Sequence, residues 1–322
     1  MTRQKKLLLV AGLVFTPVLA LIAVILRSAA LFAEFDKGTG YYIASPVLRT
    51  AFLWVAAAAV LLFLLLPLFC RKDLPTPAYR NSLSVLFSSA SFIVALAVGA
   101  LFSFMAVPSA SSSLTGFFWV IAAISALLSL VYFALFFKGS EAAGNRHGLL
   151  GLAPAFFSLF TAMLLYFDRS MQMNAPAKLL HMLAFLLLAC YFTAESRCLL
   201  GRACRPLYCF LASAAVFFTA SASIPNLLYH LVERKTLVLS VVYDFILLAA
   251  ALYTLARLLQ LLPYERPLVH KMVEALLRRE AETAAEAAEP PAEDKGEETP
   301  APILPMPEGE TDETMIHEDT AP

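Results

Sequence analysis

The sequence predicts an all-α integral membrane protein: a bundle of about eight transmembrane helices, then a cytoplasmic interfacial helix and a disordered acidic tail. Three observations carry this. Hydrophobic residues make up 60% of the 322 and charged residues 15%, with a mean hydropathy of +0.74, which is too apolar for a water-soluble globule. Apolar runs long enough to cross a bilayer recur along the chain, and the net charge of zero hides a split. Residues 1–264 hold 19 Lys and Arg against 8 Asp and Glu, whereas residues 265–322 hold 5 against 16, so the two regions belong to different solvents.

The first run, 7–26, follows Arg3, Lys5 and Lys6 and has the flanks of a signal peptide. Its 20 residues exceed a usual signal core and suffice to span, so it is read as a helix; cleavage would leave seven spans. Further runs fall at about 50–69, 82–106, 116–137, 149–167, 178–195, 207–229 and 237–262. Connections on the side of the N-terminus collect 16 Lys and Arg and the opposite connections 7, which places both termini in the cytoplasm and the protein in the plasma membrane. The connections are too short to form a soluble domain. Any site therefore lies among the helices, at their outer mouths, or in the tail.

Between the first two runs, the 21-residue loop from Ser28 to Leu48 carries Glu34, Asp36, a Gly38-Thr39-Gly40 turn signal and the headgroup-loving pair Tyr41 and Tyr42. Folded on the membrane surface, it turns Glu34 and Asp36 toward the bundle mouth. In the third run Ser84, Ser88, Ala95, Gly99 and Ser103 form a small-residue stripe that lets a neighbour approach closely. Pro17 sits mid-run and predicts a kink, whereas Pro67, Pro154 and Pro225 lie near run ends.

The fifth and sixth runs read LAPAFFSLFTAMLLYFDRSMQMNAPAKLLHMLAFLLLACYFTAESRCLLG, with Asp168 and Arg169 following the aromatic end of the first helix. Together with EFDKGTGYY near the N-terminus and ASASIPNLL at 220–228, this pattern resembles a group of multi-pass membrane proteins from Gram-positive anaerobic bacteria to which no function is assigned. The resemblance covers most of the membrane region but not the tail. It implies a bacterial membrane protein and transfers no chemistry.

After Leu262 the character changes. Residues 263–279 place Leu268, Val269, Met272, Val273, Leu276 and Leu277 on one helical stripe among basic residues, the pattern of an amphipathic helix lying on the inner leaflet. Residues 280–322 hold 14 acidic residues against Lys295 alone, with repeated Pro and Ala, and are expected to be disordered and suited to a basic cytoplasmic protein partner.

Soluble-enzyme motifs are missing: no Walker loop, GxSxG, HExxH or CxxC occurs, and no cofactor, metal or nucleic-acid partner is expected. The five cysteines match neither a disulfide framework nor a zinc pattern. One carboxylate, Asp244, lies well inside an apolar run, about 12 Å in from Thr236 at helical rise. A charge at mid-membrane costs about 3 kcal/mol on insertion scales, so such groups face the interior and pair.

His181 enters the same leaflet from Lys178. The candidate polar pocket is therefore Asp244, His181, Asp168, Arg169, Glu34 and Asp36 at the outer face. Opposed to this is a structural role, with Asp244 protonated and bonded to Ser240, Tyr243 or a backbone carbonyl, or paired with Arg169. Glu195 is expected in an interfacial ion pair beside Arg197. The reading that leads is a non-enzymatic scaffold or sensor with an outer-facing helical pocket and a partner-recruiting tail. Its competitors are a secondary transporter using Asp244 and His181, and an intramembrane enzyme acting on envelope lipids.

Overall fold

A computed structural model describes residues 3–36, 39, 41–43, 45–69, 82–110, 112–138, 145–169, 172, 174–202, 204–235, 237 and 240–261; side chains of 3–11, 13, 109, 136, 138, 145 and 146 are not described. The chain divides into two units, Met1–Tyr264 and Glu265–Pro322. The expected interfacial helix at 263–279 and acidic tail at 280–322 lie outside the described residues.

Nine α-helices follow in order among the described residues: α1 (Arg3–Ala33), α2 (Val47–Phe69), α3 (Leu83–Ala106), α4 (Ser113–Ala134), α5 (Asn145–Leu150), α6 (Leu152–Phe167), α7 (Pro176–Leu199), α8 (Arg205–Glu233) and α9 (Val241–Leu259). Eight segments are long and apolar enough to cross a membrane, α5 continuing into α6 to make one of them. The protein is an all-α membrane bundle. Among the described residues the one sheet is a minimal hairpin of β1 (Phe35–Asp36) and β2 (Tyr41–Tyr42), with Phe35 opposite Tyr42.

Serines set three of the helix starts. Ser82, Ser112 and Ser240, in extended backbone, accept from the amides of Val85, Thr115 and Val242 and so occupy donors that the first turn leaves open. Because Ser240 caps α9, that helix starts at Val241 and not at 237. Asp244 thus sits in the first turn of α9, where the amide dipoles favour negative charge. It is shallower than the sequence run implies.

The first helix also departs from expectation, and for a physical reason. Hydropathy ends that run at Arg27, but the helix continues to Ala33 because Arg27 is buried against α8. The expected loop from Ser28 shrinks accordingly, and its first six residues are helical. Helix α1 runs unbroken through Pro17.

Helix α8 is the axis of the bundle. Its run Ala212, Ser213, Ala214, Ala215 and then Ala220, Ser221, Ala222, Ser223 is buried throughout, and such small side chains let α1, α2, α7 and α9 all pack against it. Its hydroxyls fold back on their own helix, as when Thr219 Oγ1 donates to Ala215 O at 2.6 Å and Ser223 Oγ to Thr219 O at 2.8 Å.

From α8 the contacts run to α9, α3, α4, α6, α7 and back to α8, a closed ring of six helices with the α1–α2 hairpin packed outside on α8. The small-residue stripe of α3 works inside this ring. At Gly99 an added Cβ would come within 2.7 Å of Ile246 Cδ1 of α9. At the α5–α6 junction, Gly151 approaches α7 so closely that a Cβ would meet Ser196 Oγ at 2.5 Å.

Candidate functional site

Helices α1, α3, α6 and α8 run toward the end of the bundle where Ala33 lies, and α2, α4, α7 and α9 run toward the end of Leu259. Each end holds a buried polar centre. Close to the first of them lies a cavity rimmed by polar side chains.

At the Ala33 end, His181 of α7 and Asp244 of α9 meet, Nε2 to Oδ1 at 2.7 Å, with 0% and 4% of their side chains exposed. The other imidazole nitrogen, Nδ1, lies 2.9 Å from Ala177 O. A carbonyl only accepts, so Nδ1 carries a hydrogen. The 2.7 Å contact then requires one further proton, held either by the imidazole or by the carboxyl. In both forms the pair is neutral overall, which is how a histidine and an acid coexist in a dry interior.

Arg27 of α1 joins this centre from the far side of α8. Its Nη1 donates to Ser221 O at 2.5 Å and Ala222 O at 2.8 Å, and its Nη2 to Asn226 Oδ1 at 2.7 Å. The Ser221 carbonyl is the one that would accept from residue 225 in a regular helix, and Pro225 has no amide hydrogen to give. A proline on α8 has therefore created the acceptor that a buried arginine on α1 uses. Asp244 lies within electrostatic reach of the same guanidinium. Tyr42, outside the spans, is half-buried beside it; burial pushes its phenol up from the ordinary value, against the pull of Arg27 and Arg49.

The other expected site residues separate. Glu34 is buried, but it faces no pocket: its two carboxylate oxygens accept from the amides of Leu48 at 2.7 Å and Arg49 at 3.0 Å, so it caps α2 from outside the helix. Asp36 is exposed on the hairpin and accepts from Thr39 Oγ1 at 2.8 Å. Asp168 caps the end of α6, and its backbone carbonyl accepts from Lys178 Nζ at 2.5 Å; Lys178 is buried, whereas Arg169 is exposed.

Asp168 and Arg169 form the rim of a cavity of about 500 Å³ between α3, α4 and α6, whose walls include Phe102, Trp119, Leu164 and Phe167. Tyr243 stands behind it, edge-on to Phe102 at 5.8 Å and to Phe185 at 5.8 Å, its hydroxyl buried without a hydrogen-bond partner among the described residues.

The second centre, near the Leu259 end, corrects the expectation for Glu195. Its partner is Arg257 of α9, Nε to Oε1 at 2.7 Å, and not Arg197, which is exposed. Tyr253 donates to the same oxygen at 3.0 Å, Arg257 Nη1 to Gln260 Oε1 at 2.6 Å, and Gln260 Nε2 to Ser82 Oγ at 3.0 Å. Sequence reasoning missed Arg27 and Arg257 because it took cations at run ends for connection residues. Pro225 followed by Asn226 inside an apolar run was the available signal for the first.

An aromatic cluster packs against the second centre, Tyr253 belonging to both. Phe92, Phe133, Phe192 and Tyr253 lie within 4.8–6.1 Å of one another by centroid, and none is more than 1% exposed. Among the described residues no three His, Cys, Asp or Glu side chains gather as a metal site would require.

Compared with protein-family models, curated proteins and solved structures, the chain matches none. The functional reading rests on the geometry alone.

Proposed function

We propose that this chain is a sensor or scaffold of the plasma membrane, in which a cavity at the outer face receives a small amphiphilic ligand and the acidic tail recruits a basic cytoplasmic protein. The observation that carries the reading is the packed interior. A carrier exposes its charged groups to water from each side in turn, whereas here the ionic groups of both polar centres are buried and an aromatic cluster packs against the Glu195 centre. The cavity rimmed by Asp168 and Arg169 has the size and apolar walls of a small-molecule site.

Support for the orientation comes from the cations. Removing the three that are buried, Arg27, Lys178 and Arg257, changes 16 against 7 to 15 against 5, a stronger inward bias. This supports a cavity outside and a tail inside. The decisive experiment pairs two assays on the full chain. Pull-down from a cytoplasmic extract is expected to capture a partner that high salt releases and that deletion of residues 280–322 abolishes. No such partner, or pH-gradient-driven uptake into proteoliposomes that Asp244→Asn abolishes, overturns the reading in favour of a transporter.

A further inference from the structure

We infer that the lipid-facing groove between α6 and α8 is a site for one anionic phospholipid, its phosphate held at Arg197 and Arg202. The groove has a volume of about 410 Å³ and is floored by one face of α7: Ala189, Cys190, Thr193 and Ala194, ending in Arg197. These small residues are flanked by bulkier ones, Phe156 and Leu159 of α6 on one side, Leu207 and Leu211 of α8 on the other. The face sinks because its side chains are short. From Ala189 to Arg197 it runs about 12 Å at helical rise, most of one leaflet of a core about 30 Å thick. That length suits an acyl chain lying along the helix with its headgroup at the arginine.

The headgroup end is built by the way α7 stops. Gly201, at φ 74°, takes the left-handed conformation, and Arg202 N then donates to Arg197 O at 2.8 Å, with Gly201 N on Cys198 O at 3.1 Å. This turn folds the backbone of Arg202 back onto that of Arg197, the arginine that lines the groove. Both are exposed and neither is in an ion pair among the described residues.

Among the described residues no exposed carboxylate stands at this end of the bundle. Glu195 is the one carboxylate that the described residues place at this end of the bundle, and it is 0% exposed and bound to Arg257. A zwitterionic headgroup would bring its own cation to a mouth lined by Arg197, with Arg202 following at the turn, whereas a net negative headgroup is complementary. Each cation near an anionic lipid surface favours binding by roughly fivefold, so two give about thirtyfold. This site stands at the opposite end of the bundle from the cavity rimmed by Asp168, and it does not depend on how that cavity is used.

The test uses the full chain, purified in a neutral detergent and offered phosphatidylglycerol or phosphatidylcholine with identical acyl chains, bound lipid being counted by native mass spectrometry. Wild-type protein is expected to retain phosphatidylglycerol at least tenfold better. In Arg197→Gln/Arg202→Gln that preference collapses to near parity, while Thr193→Phe, which fills the floor of the groove, weakens both lipids. Both arginines are exposed and unpaired, so their loss leaves the fold intact, and an unchanged thermal melt checks this. Equal retention of the two lipids by the wild type overturns the proposal without any variant. Undiminished preference in the double variant overturns it as well.

Discussion

Arg27 and Pro225 are complements across two helices: the proline leaves the Ser221 carbonyl without its helical donor, and the arginine supplies one at 2.5 Å. Neither feature suits a membrane interior by itself. Together they satisfy a buried acceptor and disperse a buried charge over two carbonyls and the Asn226 amide oxygen.

The complementarity makes a double-mutant prediction. Arg27→Met strands the Ser221 carbonyl and costs about 1–3 kcal/mol for the unpaired buried group. Pro225→Ala restores a backbone N–H at 225, so in that background Arg27→Met is expected to cost about 1 kcal/mol less. Thermal unfolding of the four proteins in one detergent reads the coupling. Strict additivity would mean that Arg27 serves Asn226 alone.

At His181 and Asp244 the shared proton decides which substitutions are tolerated. Asp244→Asn can donate its amide to Nε2 of a neutral imidazole whose Nδ1–H stays on Ala177 O, so the contact survives and the loss stays below about 1 kcal/mol. Asp244→Leu leaves Nε2 buried and unpaired and costs about 1–3 kcal/mol. Thermal unfolding ranks the two variants. If Asn destabilises as much as Leu, the pair depends on charge and not on the hydrogen bond.

Glu195 and Arg257 behave differently, because here two full charges are buried together. Arg257→Met abandons a buried carboxylate and is expected to cost about 3–5 kcal/mol, whereas Arg257→Met with Glu195→Leu removes both charges and recovers most of that loss. Arg197→Gln should change stability by less than about 0.5 kcal/mol, as exposed pairs and exposed cations do. Urea or thermal titration of the three variants separates the observed pairing from one with Arg197.

Much of this architecture was legible because hydropathy reports burial in lipid directly. The apolar runs became the helices, and the lone interior carboxylate and its leaflet-mate His181 did meet. What hydropathy cannot do is recognise a charge that protein has already neutralised. Arg27 followed the first run and Arg257 was counted with the connections although it falls within 237–262, yet both lie inside the bundle, each held by groups on a helix remote in sequence. Glu34 was read for its charge, when its geometry makes it a helix cap. The sequence carries little signal for these cases, Pro225-Asn226 apart, since most of the partners of Arg27 and Glu34 are carbonyls and amides that every residue carries.

Orientation gives the last prediction, and the exposed residues at the two ends make it direct. Thr39 lies on the hairpin at the Ala33 end and Cys204 on the connection between α7 and α8 at the other; both are exposed. With the remaining cysteines replaced, a membrane-impermeant maleimide applied to intact cells should label Thr39→Cys and spare Cys204 until the membrane is opened. The expectation follows from the 15-to-5 distribution of cations that remains when the buried Arg27, Lys178 and Arg257 are set aside, a bias large enough to set topology in connections this short. Labelling of Cys204 on intact cells would invert the protein, placing the cavity in the cytoplasm and the acidic tail outside, where a cytoplasmic partner could not reach it.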